Sequence, residues 1–412
     1  MTSINAKTGT DDRGIRGALG RNLTWFTSSG VMKPSDGSWG IAERIIARDN
    51  QALSMVISSF PYYTSHPEAY ILEHRRPDCN FETAWLFAVA AAALDKPELN
   101  LVMENILEYL FNRSGLLNKS YKDLPAGIWE WSSNNLKNQF YFDDNGWNCL
   151  IMLMLSNRFP ELDRRFQLRD QAMILADTLD RALNEQFFKQ SGRMAIVGKP
   201  ELPHWGSLAC MAIATAAGIS ANARWHDTVA RYHRYLETRQ DLLNASEQAY
   251  LMIGGSIAAK ALNDKYIQSV VEKSAAILLS KADPETGNIA SEHYEIPNGC
   301  HLADLIYTVN WAYMGFQLTA ALTGKEIYRQ AFQKMTAMLV AIQDRNSNPL
   351  FNGCWRGLYD FNTGNWGGGD LHEGGSGSIY TGWTNAPIAI CMAHHLTGDS
   401  MLDYLLEIRK GE

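Results

Sequence analysis

A chain of 412 residues is long enough for two or three average domains, although single closed architectures also reach that length. Hydrophobic residues make up 46% of it and charged residues 20%, which allows a large core, and a formal charge of −7 leaves no basic face for nucleic acid. The polar first twelve residues hold no apolar signal region, and the longest apolar run, about 83–94, falls far short of a membrane span. A cytoplasmic protein with no membrane partner is therefore expected.

Residues 1–13 read as a disordered tail and residues 14–412 as one domain. The stretch Asp36-Gly37-Ser38-Trp39-Gly40 is a turn signal leading toward a first amphipathic helix over about 40–58, with Trp39 placed either to seal the fold or to edge a cleft. From there two kinds of helical segment alternate. Amphipathic segments with one apolar stripe recur at about 98–113, 163–189, 222–240, 264–281 and 325–343. The stripe is Leu168, Ala172, Leu175, Leu179, Leu183 and Phe187 in one, and Tyr328, Ala331, Phe332, Met335, Leu339 and Ile342 in another.

Between them run six segments apolar nearly all round, each opening on a polar residue and an aromatic. They start at Glu82 to Trp85, Asp144 to Trp147, Pro203-His204-Trp205, Glu247 to Tyr250, Asp304 to Trp311, and Tyr380 to Trp383. Six apolar helices inside six amphipathic ones satisfy both burial patterns as an all-α (α/α)6 toroid; an open helical solenoid is the structural alternative. Links from inner to outer helices are short, as at Asp95-Lys96-Pro97 and Thr323-Gly324. Links from outer to inner helices are long, at about 59–80, 115–143, 190–203, 283–302 and 344–378, and long loops in a compact domain usually carry function. They gather over the N-termini of the inner helices. Strand pattern is confined to short pieces near 193–197 and 358–361.

The most informative stretch is Tyr141-Phe142-Asp143-Asp144-Asn145-Gly146-Trp147, where two adjacent carboxylates stand at the mouth of a buried helix. Aspartate is a favoured N-cap, so one of the pair can be spent on a backbone N–H; the second asks for another use. Around the same end the sequence gathers Glu82, His204, Trp205, Glu247, Tyr250, Asp304, Trp311 and Trp383. Carboxylates among aromatic faces suit a sugar, since rings stack on apolar faces and glycosidic hydrolysis needs two carboxyl groups. Asp143 and Asp144 are the catalytic candidates. Trp131, Trp147, His204, Glu247, Trp311, Trp383, His372 and Glu373 are the candidate binding residues.

The loop 127–135 alternates aromatic and polar residues around Trp129 and Trp131, as a platform beside a cleft does. Glu292, His293, Glu295 and His301 crowd another loop. Glycines around His372 and Glu373 suit a flap, and their spacing matches neither Walker A nor a strand-led GxGxxG. Arg75, Arg76 and Arg356 are candidate cations for an acidic sugar, or structural ion-pair partners. The six cysteines have no CxxC spacing and read as reduced core residues; with no HExxH and no His/Cys cluster, neither metal nor cofactor is expected. No GxSxG elbow supports a serine nucleophile.

These residues resemble the six-hairpin glycosidase superfamily over about 37–410, and residues 141–147 resemble the paired-aspartate motif of the family 76 glycoside hydrolases, the endo-α-1,6-mannanases. That resemblance implies Asp143 as nucleophile and Asp144 as acid/base of a retaining hydrolysis. Asn145-Gly146-Trp147 is also similar to a stretch of the unsaturated glucuronyl hydrolases. The N-acylglucosamine 2-epimerases share the toroid and imply His204, His301 and His372 as proton carriers. The expected activity is hydrolysis of oligosaccharides, with epimerisation, unsaturated glucuronyl hydrolysis and sugar binding without catalysis as alternatives.

Overall fold

The computed structural model describes residues 11–48, 56–58, 60, 62–118, 126–134, 139–190, 196–290, 292, 301–367 and 372–405. Six helices buried on all sides form a ring: α2 (Pro77–Ala93), α4 (Phe142–Arg158), α7 (Pro203–Ser220), α9 (Ala245–Leu262), α11 (Val309–Thr323) and α13 (Ala386–Thr397). Each packs on the next, and α13 packs back on α2, so the ring closes and the solenoid alternative falls. Outside it lie α1 (Asp12–Ser28), α3 (Leu99–Glu108), α5 (Pro160–Phe166), α6 (Leu168–Leu183), α8 (Ala223–Glu237), α10 (Lys265–Lys281) and α12 (Glu326–Ile342). The expected stripes face inward: Leu168, Ala172, Leu175, Leu179 and Leu183 are buried, as are Tyr328, Phe332, Met335, Leu339 and Ile342. Phe187 and Ala331 are partly buried against the same core.

The helix expected over about 40–58 is a strand at its start, while residues 56–58 are helical and 49–55 lie outside the described residues. Residues 44–47 form strand β1 (Arg44–Ala47), whose Ile45 and Ile46 are fully buried and which pairs antiparallel with β3 (Ala69–Leu72) on one side and β7 (Ser378–Tyr380) on the other; β2 (Tyr63–Ser65) extends the sheet beyond β3. Two adjacent β-branched residues with partners on both edges settle as strand, overriding the weak helical period. The outer layer there includes α1, which packs on α13 and buries Ile15, Ala18, Leu19, Asn22, Leu23 and Phe26 at helical spacing. Asn22 fastens it by donating to the Gly353 carbonyl and to Asn385, each at 2.9 Å. It starts at Asp12, capped by the Asp11 side chain, so residues 12 and 13, expected in the tail, are helical, and residues 1–10 lie outside the described residues. A second small sheet joins β4 (Leu302–Asp304), β5 (Leu358–Asp360) and β6 (Asn365–Trp366), the middle strand lying where a strand was expected near 358–361.

Close contact between inner helices depends on missing side chains. A Cβ on Gly254 would fall inside van der Waals contact with the Ser207 carbonyl of α7, and one on Gly146 would meet the Leu208 carbonyl. Gly254→Ala should therefore destabilise the protein by about 1–3 kcal/mol through overpacking, measured as a fall in the denaturation midpoint; an unchanged midpoint would show that α7 and α9 separate freely.

Candidate active site

The long loops and both small sheets collect at the end of the ring where inner helices begin. They enclose a cavity of about 700 Å3 whose wall includes Phe60, Trp131, Tyr141, Trp205, Tyr250, Tyr307, Tyr380 and Trp383, with Arg76, Asp143, Asp144, His204 and Glu247. Asp143 and Asp144 occupy the second and third positions of α4, and the N-cap is Tyr141, so neither aspartate caps by its side chain. In the first helical turn the exposed N–H dipoles favour negative charge, which offsets part of the cost of placing two carboxyls together. Asp143 is 7% exposed and Asp144 3%, and each keeps one buried oxygen, Asp143 Oδ1 and Asp144 Oδ2, with no hydrogen-bond partner.

The rest of the Asp-Asp-Asn-Gly-Trp stretch holds that pair in place. Asn145 Oδ1 accepts from the Trp129 N–H at 2.8 Å, while its amide donates to the carbonyls of Trp129 at 3.1 Å and Tyr141 at 3.0 Å. The side chain thus ties the platform loop to the start of α4 and sets Trp131 at the cavity wall. Gly146 admits α7. Trp147 lies flat on Trp311, ring centroids 5.9 Å apart at 25°. Here the expectation needs correction: Trp147 and Trp311 are almost fully buried and do not line the cavity, because each packs on the other and Trp311 also meets Tyr250 and Trp383. They are the layer beneath its lining.

Arg76 is the buried cation on the cavity wall, where the exposed Lys199 also stands. Arg76 is the N-cap residue of α2, and its guanidinium reaches Asp144 Oδ1 at 2.8 Å, Asp78 Oδ2 at 2.6 Å and Glu43 Oε1 at 3.2 Å. The indole of Trp383 lies under it with the centroid 5.0 Å away, and Trp131 lies at 5.6 Å. Trp383 Nε1–H also donates to Asp78 Oδ2 at 3.0 Å. Burial disfavours this cation, yet Asp144, Asp78 and Glu43 more than offset it and raise its pKa. Burial drives the carboxyls the other way. It lifts Asp143 to about 6 against the pull of His204 and Arg76, and it lifts Asp144 well above the usual carboxylate range despite the ion pair. Glu82, buried beside them with neither oxygen partnered, is lifted as well.

On the same cavity lining, His204 Nδ1 is paired with Glu247 Oε1, and Glu247 Oε2 accepts the His204 backbone N–H at 2.9 Å. Two expected binding residues are thus one unit. Trp131 and Trp383 line the wall as expected. Asp304 does not: its carboxylate accepts from the Ile306 and Tyr307 N–H groups and from Thr308, and serves the turn before α11. Glu292 is paired with Lys281, Arg356 with Asp344, and His301 is exposed away from the cavity. His293 and Glu295, and the side chains of His372 and Glu373, lie outside the described residues. Glu43, Asp78, Tyr307 and Tyr380 were not singled out from the sequence, and only pairing of β1 with β7 brings Glu43 and Tyr380 together.

Among the described residues no group of three His, Cys, Asp or Glu side chains is placed to hold a metal ion, and no helix is long and apolar enough to cross a membrane. No family profile matches the chain, and no curated protein is similar to it in sequence. Solved structures do share its fold. The cellobiose 2-epimerase from Bacillus thermoamylovorans B4167 superposes with a TM-score of 0.61 at 11% identity, covering 93% of this chain and 99% of that one. An unsaturated glucuronyl hydrolase from Streptococcus agalactiae gives 0.57 at 10% identity over 95% and 92%. The GH76A alpha-1,6-mannanase from Salegentibacter sp. HEL1_6 gives 0.56 at 11% identity over 94% and 99%. These neighbours are (α/α)6 toroid enzymes of the six-hairpin superfamily, glycoside hydrolases and sugar epimerases among them, and this chain has their fold.

Removing the cation should expose what it holds together. Arg76→Met leaves Asp78 and Asp144 buried without a counter-charge, while Glu43 keeps Arg44 at 3.3 Å, and should cost about 3–5 kcal/mol at neutral pH. Carboxyls so crowded bind protons more readily folded than unfolded, so the loss should shrink as pH falls from 8 to 5. A pH-independent loss in denaturant titrations would contradict this picture.

Proposed function

We propose that the protein is a glycoside hydrolase acting on oligosaccharides, with Asp143 as nucleophile and Asp144 as acid/base. The observation that carries this reading is the pair itself: two adjacent buried carboxyls on an aromatic cavity, each with one oxygen left unpartnered, and only one of them held by an arginine. Arg76 is already neutralised by Glu43 and Asp78, so its contact with Asp144 Oδ1 orients that carboxyl without stripping its proton. A proton on Oδ2 then has the glycosidic oxygen as its acceptor.

In the first step Asp143 attacks the anomeric carbon as the bond to the leaving oxygen breaks, and that oxygen takes the proton of Asp144. The product is a glycosyl ester on Asp143, and Asp144 is left as an anion beside Arg76. In the second step Asp144 takes a proton from water, whose oxygen attacks the anomeric carbon and frees Asp143. Trp131, Tyr250, Tyr307 and Trp383 would supply stacking faces along the cavity. Five buried cysteines with no disulfide, Cys79, Cys149, Cys210, Cys354 and Cys391, support a reducing compartment, where the substrates would be imported fragments.

A second reading, epimerisation, rests on the His204–Glu247 pair, a carboxylate-oriented imidazole on the cavity wall. Proton transfer on both faces of a sugar carbon needs a second base opposite. Among the described residues His204 is the one histidine lining the cavity, and what favours hydrolysis is the buried carboxyl pair on the same cavity.

Asp143→Asn and Asp144→Asn should each lower kcat by about 10³-fold or more without unfolding the chain; near-normal turnover in both removes the assignment. For the native enzyme the roles fix the sign of the pH profile. Asp143 must be ionised to attack, so kcat/KM should rise with pH through about 6 and fall only as Asp144 loses its proton at higher pH. A profile that falls through pH 6 would exchange the two roles.

A further inference from the structure

The wall carrying Arg76 and Trp131 has a second face. Residues 73–76 and 131–134 are laced together: the Arg75 N–H donates to Ser133 Oγ and the Ser133 N–H to the Arg75 carbonyl, both at 3.2 Å, Asn134 donates to the Glu73 carbonyl at 2.9 Å, and His74 Nδ1 is bonded to Ser132 Oγ at 2.9 Å. Side chains alternate across this double layer. Arg76 and Trp131 enter the cavity, whereas Glu73, Arg75, Ser133 and Asn134 line a separate open groove of about 620 Å3 on the outer side.

The far side of that groove carries an unusual surface. Trp39 is 57% exposed, Tyr62 55% and Tyr63 41%, three of the few large apolar side chains the protein shows to solvent, and all three line the one groove. Trp39 sits on the Asp36-to-Gly40 turn, whose backbone is anchored from below: its own carbonyl accepts from Arg75 Nε at 2.7 Å and that of Ser38 from Arg113 Nη1 at 2.7 Å. The ring is thus held out on a rigid turn, with no core role. Around the rings stand Lys33, Arg75 and Arg113 against Glu73, which Arg75 takes up at 3.0 Å, and Asp36 on the turn, which feels the charge of Arg113, so three cations face two carboxylates. In a protein of net charge −7 this is a local excess of positive charge beside exposed aromatic faces.

We propose that this groove is a second saccharide-binding site that takes an acidic oligosaccharide, with sugar faces stacked on Trp39 and Tyr62 and carboxylates met by Lys33 and Arg113. Rings supply area at low entropy cost, and cations beside them select for anionic substituents. The inference stands apart from the reaction assigned to Asp143 and Asp144, because its readout is binding by a protein that does not turn over.

The test is calorimetric titration of full-length Asp143→Asn with hexagalacturonate and with neutral maltohexaose, repeated after adding Trp39→Ala or Lys33→Gln. Neither added change touches the cavity, and thermal melts report whether each variant folds. Hexagalacturonate should bind saturably, more weakly in 0.5 M salt, and at least about tenfold more weakly in both added variants, while native protein carrying Trp39→Ala alone keeps its turnover of short substrates. Absence of binding, binding untouched by Trp39→Ala and Lys33→Gln, or equal binding of maltohexaose would each overturn the proposal.

Discussion

The mouth of this toroid is arranged around the buried guanidinium of Arg76, with a second, that of Arg44, sharing its partner Glu43. Arg76 is contacted by carboxyls from three separate parts of the chain: Glu43 just before β1, Asp78 in the first turn of α2, and Asp144 in the first turn of α4. A buried cation costs more in lost hydration than any one of these partners returns, so all three are needed, and two aromatic faces complete the shell. The same arrangement is what leaves acid chemistry available. Burial, helped by the neighbouring carboxylates, raises the pKa of Glu82, Asp143 and Asp144 despite the pull of Arg76.

The fold was legible in the sequence where burial is periodic and illegible where it depends on distant pairing. Five outer helices and six inner ones follow from repeated patterns, because an inner helix must be apolar all round and an outer one on a single stripe. The stretch 44–47 misled because the hydrophobicity of Ile45 and Ile46 says that they are buried but not what they pair with; β3 and β7 lie about 25 and 335 residues away. At the site, Asp143, Asp144, Trp131, His204, Glu247 and Trp383 could be placed at one end because they open inner helices or sit in the loops before them. Trp147 and Trp311 obey the same pattern but lie one turn deeper, where a ring is wall backing. Glu43 could not be found from local pattern, since nothing in its own stretch marks it as a partner of Arg76.

The toroid itself does not choose between chemistries, since enzymes that cleave glycosidic bonds and enzymes that interconvert sugars share it. What distinguishes this chain is which groups face the cavity. A carboxyl pair with unpartnered oxygens lines it together with, among the described residues, a single imidazole already held by Glu247. The first arrangement suits proton donation with nucleophilic attack, and the second suits recognition of a sugar hydroxyl.

The most direct measurement is a proton NMR time course of the native protein with a panel of mannosyl, glucosyl and unsaturated uronyl oligosaccharides, resolving the anomeric signals of the products. Hydrolysis with Asp143 as nucleophile should give shortened chains whose new reducing end first appears in the anomeric configuration of the bond cleaved. Chains of unchanged length carrying an epimerised or isomerised reducing sugar would contradict the account and transfer the chemistry to His204.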